Sequence, residues 1–381
     1  MKYLIISDAA SMHVYNFIRF FLVGKGYDIT VLRHSVGDIP EKYQQFYDEN
    51  NIKIVTPPKQ VGRKGPVITV KRFLSKLKFL RQYGKADICH IHYTHAVSCI
   101  LYLLFKRNFK KLIVTFWGTD ILNPPKFEAS MQKKTLPYAD KITVTVKNSY
   151  KVFQSRFGHK YDGKLEVVHF PSGAVPKIKE MSEKLTKQQC REQFNVPDGK
   201  LLLVCGYNAD PAQRQDICLN EISKLAPELK DRLHILVPLQ YSRIDNGYID
   251  RVKQAAESCG CSYEVLEEYV PFERNAVMCL ATDIYLNLRT SDAFSNAMKE
   301  QITAGSLMIQ GDWLNYIEVD EMNAPVVKIS ELSELHTALE KVIKEYKFKT
   351  DNEIFYPMYN IFDPDSLKKE WERIFNSLSM Q

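Results

Sequence analysis

Short apolar runs alternate with amphipathic segments along most of the chain, and this alternation predicts strands joined by helices. The apolar runs of the first half lie at 2–7, 28–32, 52–55, 87–93, 112–116, 141–146 and 165–168, with helical patterns at 14–23 and 96–105. Those of the second half lie at 201–206, 234–238, 263–266, 284–288, 307–309 and 325–329, with helical patterns at 187–194, 297–304, 332–346 and 366–378. We therefore expect an α/β protein with doubly wound, Rossmann-like sheets.

The length of 381 residues exceeds one typical core and favours two domains. We place the N-terminal domain at 1–172 and a second domain at 187–362, with a polar, Lys/Glu-rich linker at about 172–186. Residues 363–381 are expected to form a terminal helix with Pro364 at its first position. The sequence Asp363-Pro364-Asp365 is thus interpreted as a helix cap and not as a metal motif.

The composition is that of an ordinary globular protein, with 45% hydrophobic and 25% charged residues. The first apolar run ends at Asp8, which indicates a buried strand rather than a signal peptide. No run approaches the ~20 apolar residues of a membrane span. The eight cysteines follow no paired framework, which favours a reduced, cytoplasmic protein. The one close pair, Cys259-Gly260-Cys261, has no histidine nearby, so we expect no metal there.

Charge is distributed unevenly between the two halves. Residues 1–170 hold 28 Lys and Arg against 12 Asp and Glu, a net charge of +16, whereas residues 171–381 carry −9. This asymmetry suggests that the first half meets an anionic surface or acceptor.

Ten basic residues and no acidic one lie between Lys53 and Lys85. After Pro66 the stretch has a helical apolar stripe, formed by Val67, Val70, Phe73, Leu74, Leu77 and Leu80. One interpretation is a core-packed helix with a solvated basic face, and the other is an interfacial helix that draws the domain to anionic lipid. Nucleic-acid binding is less favoured, because the stretch lacks interleaved aromatic residues and any known module.

The segment 283–311 carries the most specific chemistry. Its apolar run, polar loop, helix, Gly305 and second run predict a βαβ unit whose helix begins at the carboxyl edge of a sheet. Free N–H groups near Ser295 and Asn296 would form an anion site there. A diphosphate at this tip would place an attached ribose within reach of Glu300, at ~1.5 Å of rise per residue. The alternative makes Asp292 an ordinary N-cap and Glu300 a solvated residue.

Asp292 and Glu300 are separated by seven residues, a spacing that resembles the E-x7-E signature of retaining GT-B glycosyltransferases, chiefly glycosyltransferase family 4. That family has E-G-F-G in the loop and E-A-x-A-x-G in the helix, where this chain has D-A-F-S at 292–295 and E-Q-I-T-A-G at 300–305. The resemblance implies two Rossmann-like domains facing a cleft and a terminal helix that crosses back to the first domain. It also implies that Glu300 holds the nucleotide ribose, while Asp292 and the loop amides face the donor sugar and diphosphate.

The same resemblance implies further donor-binding residues. The segment after 201–206 takes the place of the family's G-R-x-x-x-x-K-G phosphate loop, and Tyr207 replaces its Arg. Arg214 is therefore our candidate for the cation that binds the diphosphate, the alternative being a surface arginine that caps a helix. The loop 268–272 stands where related enzymes seat the nucleotide base. The expected donor-binding residues are Gly206, Tyr207, Arg214, Tyr241, Tyr269, Val270, Phe294, Ser295, Asn296 and Glu300, and the expected catalytic residues are Asp292, Arg214 and Glu300.

In the first half, the strand 87–93 carries His90 and His92, where the family commonly has D-I-I-H-x-H. We expect buried or acceptor-facing histidines here and not a metal site, because no carboxylate is supplied locally. Family members often show T-x-H-G-x-D where this chain has T-F-W-G-T-D at 115–120, so stacking on Trp117 replaces that histidine or its contact is lost. The expected acceptor-binding residues are His13, His95, Trp117 and Asp120. Trp-Gly-x-Asp at 117–120 and Val-Pro-x-x-Tyr at 237–241 also resemble the lipid-linked fucosamine transferases, another GT-B family.

The resemblance implies transfer of a sugar from a nucleotide-sugar donor to a saccharide or polyprenyl-linked acceptor, with retention, in surface polysaccharide or glycan biosynthesis. The departing phosphate would help to deprotonate the acceptor, and Arg214 with the helix dipole would stabilise its charge. No metal ion or other cofactor and no nucleic-acid partner is expected. We expect a cytoplasmic location, peripheral on the inner face of the plasma membrane. The alternatives are a nucleotide-sugar 2-epimerase of the same architecture and a non-catalytic GT-B-like partner subunit.

Overall fold

The computed structural model of the chain describes residues 1–58, 65–349 and 359–379. It divides into two compact units, Met1–Pro171 with Pro364–Gln381, and Ser172–Asp363. We call these units the N-terminal and the C-terminal domain. The predicted α/β class with two parallel, Rossmann-like sheets is confirmed.

The N-terminal domain is built on a seven-stranded parallel sheet of order β3-β2-β1-β4-β5-β6-β7. Its strands are β1 Lys2–Ser7, β2 Asp28–Arg33, β3 Lys53–Val55, β4 Ala86–His92, β5 Phe109–Phe116, β6 Lys141–Val144 and β7 Leu165–Val167. Its first seven helices are α1 Met12–Phe17, α2 Glu41–Glu49, α3 Pro66–Tyr83, α4 Ala96–Phe105, α5 Thr119–Leu122, α6 Lys126–Thr135 and α7 Lys147–Phe157. The helix predicted at 14–23 is not one regular helix, because a wider turn over Ile18–Leu22 follows α1 and ends with the Val23 N–H bonded to the Ile18 carbonyl.

The C-terminal domain has a six-stranded parallel sheet of order β10-β9-β8-β11-β12-β13. Its strands are β8 Leu201–Cys205, β9 Leu233–Pro238, β10 Ser262–Leu266, β11 Ile284–Asn287, β12 Leu307–Gly311 and β13 Val326–Ile329. Its helices are α8 Val175–Ser182, α9 Lys187–Glu192, α10 Gln215–Ile222, α11 Pro227–Lys230, α12 Asn246–Ser258, α13 Phe272–Ala281, α14 Asn296–Thr303, α15 Ile317–Glu321, α16 Leu335–Glu345 and α17 Tyr359–Phe362. The last helix of the chain, α18 Pro364–Ser379, belongs to the N-terminal domain.

Successive side chains along a strand point to opposite faces of the sheet, which explains why both faces of each sheet are covered. In β1, Tyr3 and Ile5 enter one apolar cluster, and Leu4 and Ile6 enter the cluster on the opposite face. The first of these clusters also contains Trp371 of α18, which is 1% exposed. The carboxyl ends of the parallel strands remain as the edge where loops can carry chemistry.

The linker predicted at 172–186 is wrong in part, because α8 occupies its centre. Val175 and Ile178 lie three residues apart on this helix and are fully buried. They anchor α8 in the C-terminal domain, where it packs against α13. The sequence did not predict this helix, because its short apolar spacing lies among charged residues.

The start of β11 is held by a buried ion cluster. Asp283 is 0% exposed, and its carboxylate lies 2.9 Å from the Lys187 ammonium and 2.6 Å from the Arg191 guanidinium. It also accepts the Leu202 backbone N–H at 2.8 Å. Because two charges and an amide converge on one carboxylate, Asp283 joins α9 and β8 to β11.

Helix α3 packs on the N-terminal domain through only part of its predicted apolar stripe. Leu80 is buried and Leu77 is half-buried, whereas Val67, Val70 and Leu74 are 65%, 55% and 55% exposed. The basic residues Lys59, Arg63 and Lys64 of the same stretch lie outside the described residues. None of the helices within the described ranges combines the length and the hydropathy that a membrane-spanning segment requires.

Candidate functional site

The predicted βαβ unit is present as β11, α14 and β12, with β11 and β12 paired in parallel. The loop after β11 leads into α14 at the carboxyl edge of the sheet. Ser295 is the N-cap residue of α14, and its side chain makes no capping hydrogen bond. The helix tip therefore has the character of an anion site, with backbone N–H groups and the positive end of the dipole.

Glu300 is not a solvated helix residue, since it is only 9% exposed. The Ser172 hydroxyl donates to its Oε1 at 2.6 Å, and the Asn275 side-chain amide donates to its Oε2 at 2.9 Å. Burial raises the pKa of the Glu300 carboxyl, although both hydrogen bonds act in the opposite direction. Ser172 and Asn275 were missed in the sequence, because they lie 128 and 25 residues away from Glu300.

Asp292 has the geometry of a helix cap, the alternative that the sequence left open. Its side chain is 6% exposed, and its Oδ2 accepts the Ser295 backbone N–H at 2.8 Å and the Tyr316 hydroxyl at 2.6 Å. Its Oδ1 lies 3.3 Å from the Arg289 guanidinium. The expectation that Asp292 faces the donor sugar has no support in these contacts, because both oxygens hold the loop in shape.

Arg289 is a cation near the tip of α14 that the sequence reasoning did not single out. Besides Asp292, its Nη1 contacts the Tyr207 hydroxyl, and its guanidinium lies 5.4 Å from the centre of the Tyr207 ring. Its Nε is buried without a hydrogen-bond partner among the described residues. Burial raises the pKa of Tyr207 to about 12, so this phenol stays neutral beside Arg289. The position of Arg289, just after an apolar run, was the signal that could have identified it.

Arg214 lies in different surroundings from those expected. Its guanidinium covers the Trp313 ring at 5.6 Å, and it lines an open cavity of about 670 Å³ together with Thr290, Trp313 and Ser330–Ser333. Asp292, Ser295 and Glu300 do not belong to the lining of this cavity. The role of Arg214 as the diphosphate cation thus stays a prediction, with Arg289 as its rival.

The other residues predicted to bind the donor divide into exposed and buried ones. Tyr241 and Tyr269 are 48% and 69% exposed, and Tyr241 lies 6.4 Å from Tyr207 between ring centres. The Phe294 side chain is 2% exposed and packs on Tyr316, so it is a core side chain, and its donor contact stays a prediction. Among three further residues, Asn296 is half-buried, whereas Val270 and Gly206 are buried. The Val270 N–H donates to Gln240 at 3.0 Å, and Gly206 has φ +70°.

In the N-terminal domain, His13 and Trp117 are brought together. Their ring centres are 4.9 Å apart, and His13 also stacks on Phe170 at 4.6 Å. Both are half-buried, and the Trp117 indole N–H donates to the His92 Nδ1 at 3.4 Å. An aromatic surface of this kind suits the apolar face of a sugar.

His90 and His92 lie on one face of β4, with ring centres 3.9 Å apart, and both are 0% exposed. The His90 ring nitrogens bond to the Tyr3 and Thr115 hydroxyls at 2.7 Å each. Burial holds the pKa of His90 well below its usual range and lowers that of His92 to about 3, so both rings are neutral. Within the described residues, no group of three or more His, Cys, Asp or Glu side chains could hold a metal ion.

Asp120 was predicted to contact the acceptor, and this contact stays a prediction; its side chain is 0% exposed. Its Oδ1 accepts the N–H groups of Trp117 and Gly118 at 2.9 Å, and its Oδ2 accepts the N–H and hydroxyl of Thr94 at 2.9 and 3.1 Å. Asp120 therefore ties the turn that carries Trp117 to the end of β4. His95, also an expected acceptor contact, pairs with Glu128 at 3.3 Å.

The comparisons with known proteins agree with this architecture. A family model described as Glycosyl transferase 4-like matches residues 2–146, which is most of the N-terminal domain. A glycosyltransferase from Rickettsia africae has 13% identity and a TM-score of 0.69, with 99% of this chain and 98% of that chain covered. The Anabaena protein Alr3699/HepE, solved in complex with UDP and glucose, has 12% identity and a TM-score of 0.70, with 99% and 100% covered.

The chain has the GT-B fold. The predicted resemblance to GT-B glycosyltransferases of the family 4 type is confirmed by these findings, and the family match supports glycosyl transfer as the activity. The likeness to fucosamine transferases has no support in them. Curated protein sequences gave no match.

Another similar structure bears on the epimerase alternative. The UDP-GlcNAc 2-epimerase from Neisseria meningitidis, solved bound to UDP-GlcNAc, has 15% identity and a TM-score of 0.62, with 100% of each chain covered. At such identities the likeness shows the fold alone, so the chemistry of the site has to decide between the two activities.

Proposed function

We propose that this protein is a glycosyltransferase that moves a sugar from a nucleoside diphosphate sugar to a saccharide or lipid-linked acceptor, with retention and without a metal ion. The observation that carries the proposal is the buried Glu300, oriented by Ser172 and Asn275, one turn behind the tip of α14. A diphosphate at the tip and a ribose diol on Glu300 use both features together. The match of the N-terminal domain to the glycosyl transferase 4-like family supports the same reaction.

The donor half of the proposal is tested by a thermal-shift screen of nucleoside diphosphates on the full-length protein. A ligand at 100 times its Kd stabilises the native state by ~2.7 kcal/mol, which moves the melting temperature by several degrees. We expect one base to stand out. If no nucleoside diphosphate shifts the transition at millimolar concentration, the proposal fails and the non-catalytic alternative takes its place.

Retention and the metal requirement are tested with sugar derivatives of the nucleoside diphosphate that the screen identifies. We expect the anomeric configuration of the product, followed by NMR during the first turnovers, to equal that of the donor. Activity should be unchanged by EDTA. Inverted product, or activity that EDTA abolishes and a divalent cation restores, would contradict this part of the proposal.

The second candidate is a nucleotide-sugar 2-epimerase, an activity whose Neisseria representative resembles this chain in fold over its full length. An epimerase converts the nucleotide sugar without an acceptor, whereas a transferase needs one for transfer. Incubation of the protein with the nucleotide sugar alone distinguishes them. The appearance of a C2 epimer that remains attached to the nucleotide would favour the epimerase.

We further propose that α3 attaches the protein to an anionic membrane, where surface polysaccharides or other glycans are made. The exposed Val67, Val70 and Leu74 share the outer side of α3 with the exposed Lys71 and Lys78. Apolar residues among basic ones suit an anionic bilayer surface, and each basic residue near it contributes ~1 kcal/mol.

Vesicle sedimentation tests the attachment. Lys71→Gln with Lys78→Gln removes ~2 kcal/mol, about 30-fold in binding, at low salt. Serine at Val70 and Leu74 should also weaken binding. The matched control is serine at Leu104 and Phe127, each 60% exposed on other helices, which should change nothing. Equal binding by all variants, or none by wild type, would contradict the proposal.

A further inference from the structure

A group of basic side chains meets beneath α3, on the side that faces the domain. Lys76 is 5% exposed, and its ammonium donates to the His34 carbonyl at 3.4 Å. No carboxylate among the described residues pairs with Lys76. An ammonium this buried is normally paired, because an unpaired charge away from water is unfavourable.

Two neighbouring groups also lack partners. Arg72 lies one turn before Lys76 on α3, and its Nε is buried without a hydrogen-bond partner in the described structure. The Nδ1 of His34, just after β2, is likewise buried and unpartnered there. Burial, with the nearby Arg72 charge, lowers the pKa of Lys76 to about 8. Like charges four residues apart on a helix repel each other, so the Arg72–Lys76 pair lowers the stability of α3.

The acids close to this group are already paired. Asp8 lies 2.8 Å from the Arg33 guanidinium, and Glu128 lies 3.3 Å from the His95 ring. The residues 59–64, which lie outside the described part of the chain, contain no acid either. Within the described residues, no carboxylate therefore supplies a counter-charge for Lys76, and a bound anion would supply one.

We propose that Arg72, Lys76 and His34 form an anion site that takes a phosphate or diphosphate group, and that this group belongs to the acceptor. An arginine, an ammonium and an imidazole N–H can donate to a tetrahedral anion from three directions. The assignment to the acceptor rests on the proposed function.

The position on α3 favours an acceptor that is linked to a lipid. The inner side of the helix carries the cations, and its outer side exposes Val67, Val70 and Leu74, at a helix diameter of ~10 Å. A saccharide joined to a lipid through a diphosphate would place its apolar chain on the outer side and its charge on the inner side. A neutral, soluble oligosaccharide would leave both features unused.

Calorimetry on the full-length protein tests the site, with the nucleotide site saturated by the nucleoside diphosphate from the screen. Inorganic diphosphate is the probe, and an isoprenyl diphosphate in detergent is the second ligand. We expect Arg72→Gln and Lys76→Gln each to weaken both ligands about tenfold or more, which is the loss of one charge-assisted hydrogen bond. The control, Lys71→Gln with Lys78→Gln, removes two exposed charges of the same helix and should leave inorganic diphosphate binding unchanged.

Stability without ligand gives a second measurement. If Lys76 is poised for an anion, the Lys76→Met variant should melt at the wild-type temperature or above it. It should also lose the rise in melting temperature that diphosphate gives the wild-type protein. If Lys76 is merely structural, the variant melts lower and the increase remains, which would overturn the proposal. Equal diphosphate binding by wild type and both glutamine variants would overturn it too.

Competition distinguishes the two lipid sources of the phosphate. Tighter binding of the isoprenyl diphosphate than of inorganic diphosphate supports a lipid-linked acceptor. Displacement of inorganic diphosphate by anionic phospholipid vesicles, with no preference for the isoprenyl compound, assigns the site to a lipid headgroup and overturns the acceptor assignment. Failure of the donor proposal appears separately, as absence of nucleoside diphosphate binding in wild type.

Discussion

Replacement of Glu300 by glutamine is the sharpest test of the donor site. The change keeps the shape of the side chain and removes its charge. Ser172 and Asn275 both donate to Glu300 in the native structure. A glutamine can keep its oxygen toward Asn275 and point its NH2 to the Ser172 hydroxyl, which turns to accept. We therefore expect the local structure to survive the substitution.

The expected loss of affinity follows from the hydrogen bonds to a ribose diol. A bond to a charged acceptor contributes ~1.5–3 kcal/mol, whereas a bond to a neutral one contributes ~0.5–1.5 kcal/mol. Two such bonds lose ~2–3 kcal/mol when the carboxylate becomes an amide. This corresponds to roughly 30- to 150-fold in Kd for the nucleoside diphosphate.

Calorimetry with the nucleoside diphosphate and its 2′-deoxy analogue is the decisive assay. Wild type should discriminate strongly against the deoxy compound, and Glu300→Gln should discriminate little. Glu273→Gln, at a carboxylate 66% exposed on the helix that carries Asn275, is the matched control and should behave as wild type. Unchanged affinity in Glu300→Gln, or equal discrimination by both proteins, would refute the assignment.

The stability of the variant gives an internal check. Burial raises the folded pKa of Glu300 above its ordinary value of 4.5, so the native state holds this proton more tightly than the unfolded chain does. The contribution of this group to stability is therefore lost as the pH rises from about 4.5 through the folded pKa. Glutamine removes that loss, so at pH 7 the variant should melt no lower than wild type, and weak binding cannot be ascribed to unfolding.

Three further predictions follow from other parts of the structure. Arg289→Ala should weaken a diphosphate more than the free nucleoside, by ~1.5–3 kcal/mol, and more than Arg214→Ala does; the reverse order by calorimetry would return the role to Arg214. Asp283→Asn should lower the free energy of unfolding in urea by ~3–5 kcal/mol, because it leaves Arg191 buried and unpaired, and a loss below 1 kcal/mol would contradict this. Since burial lowers the pKa of His92 to about 3, stability should fall as the pH drops below 6.5, by up to ~1.4 kcal/mol per pH unit, and the slope should be shallower in His92→Gln.

The sequence alone was sufficient for the order of the strands and for the class of fold. β1 was predicted at its observed bounds Lys2–Ser7, and α4 at Ala96–Phe105, because a buried strand is a short apolar run and a buried helix a longer one. The apolar runs, polar loop, helix and Gly305 of 283–311 were enough to find the βαβ unit of the C-terminal domain. The local sequence pattern did not predict α8, because its short apolar spacing lies among charged residues.

The contacts of the candidate sites depended on tertiary structure. Asp292 and Glu300 look alike in the sequence, yet one caps α14 through Ser295 and the other is buried against residues from α13 and from the start of the domain. The apolar residues of α3 also look alike in the sequence, yet packing buries Leu80 and leaves Val70 exposed. A sequence pattern shows the short-range periodicity of apolar residues and the chemical type of each residue. Partners that lie 25 to 128 residues apart become neighbours only when the sheets assemble.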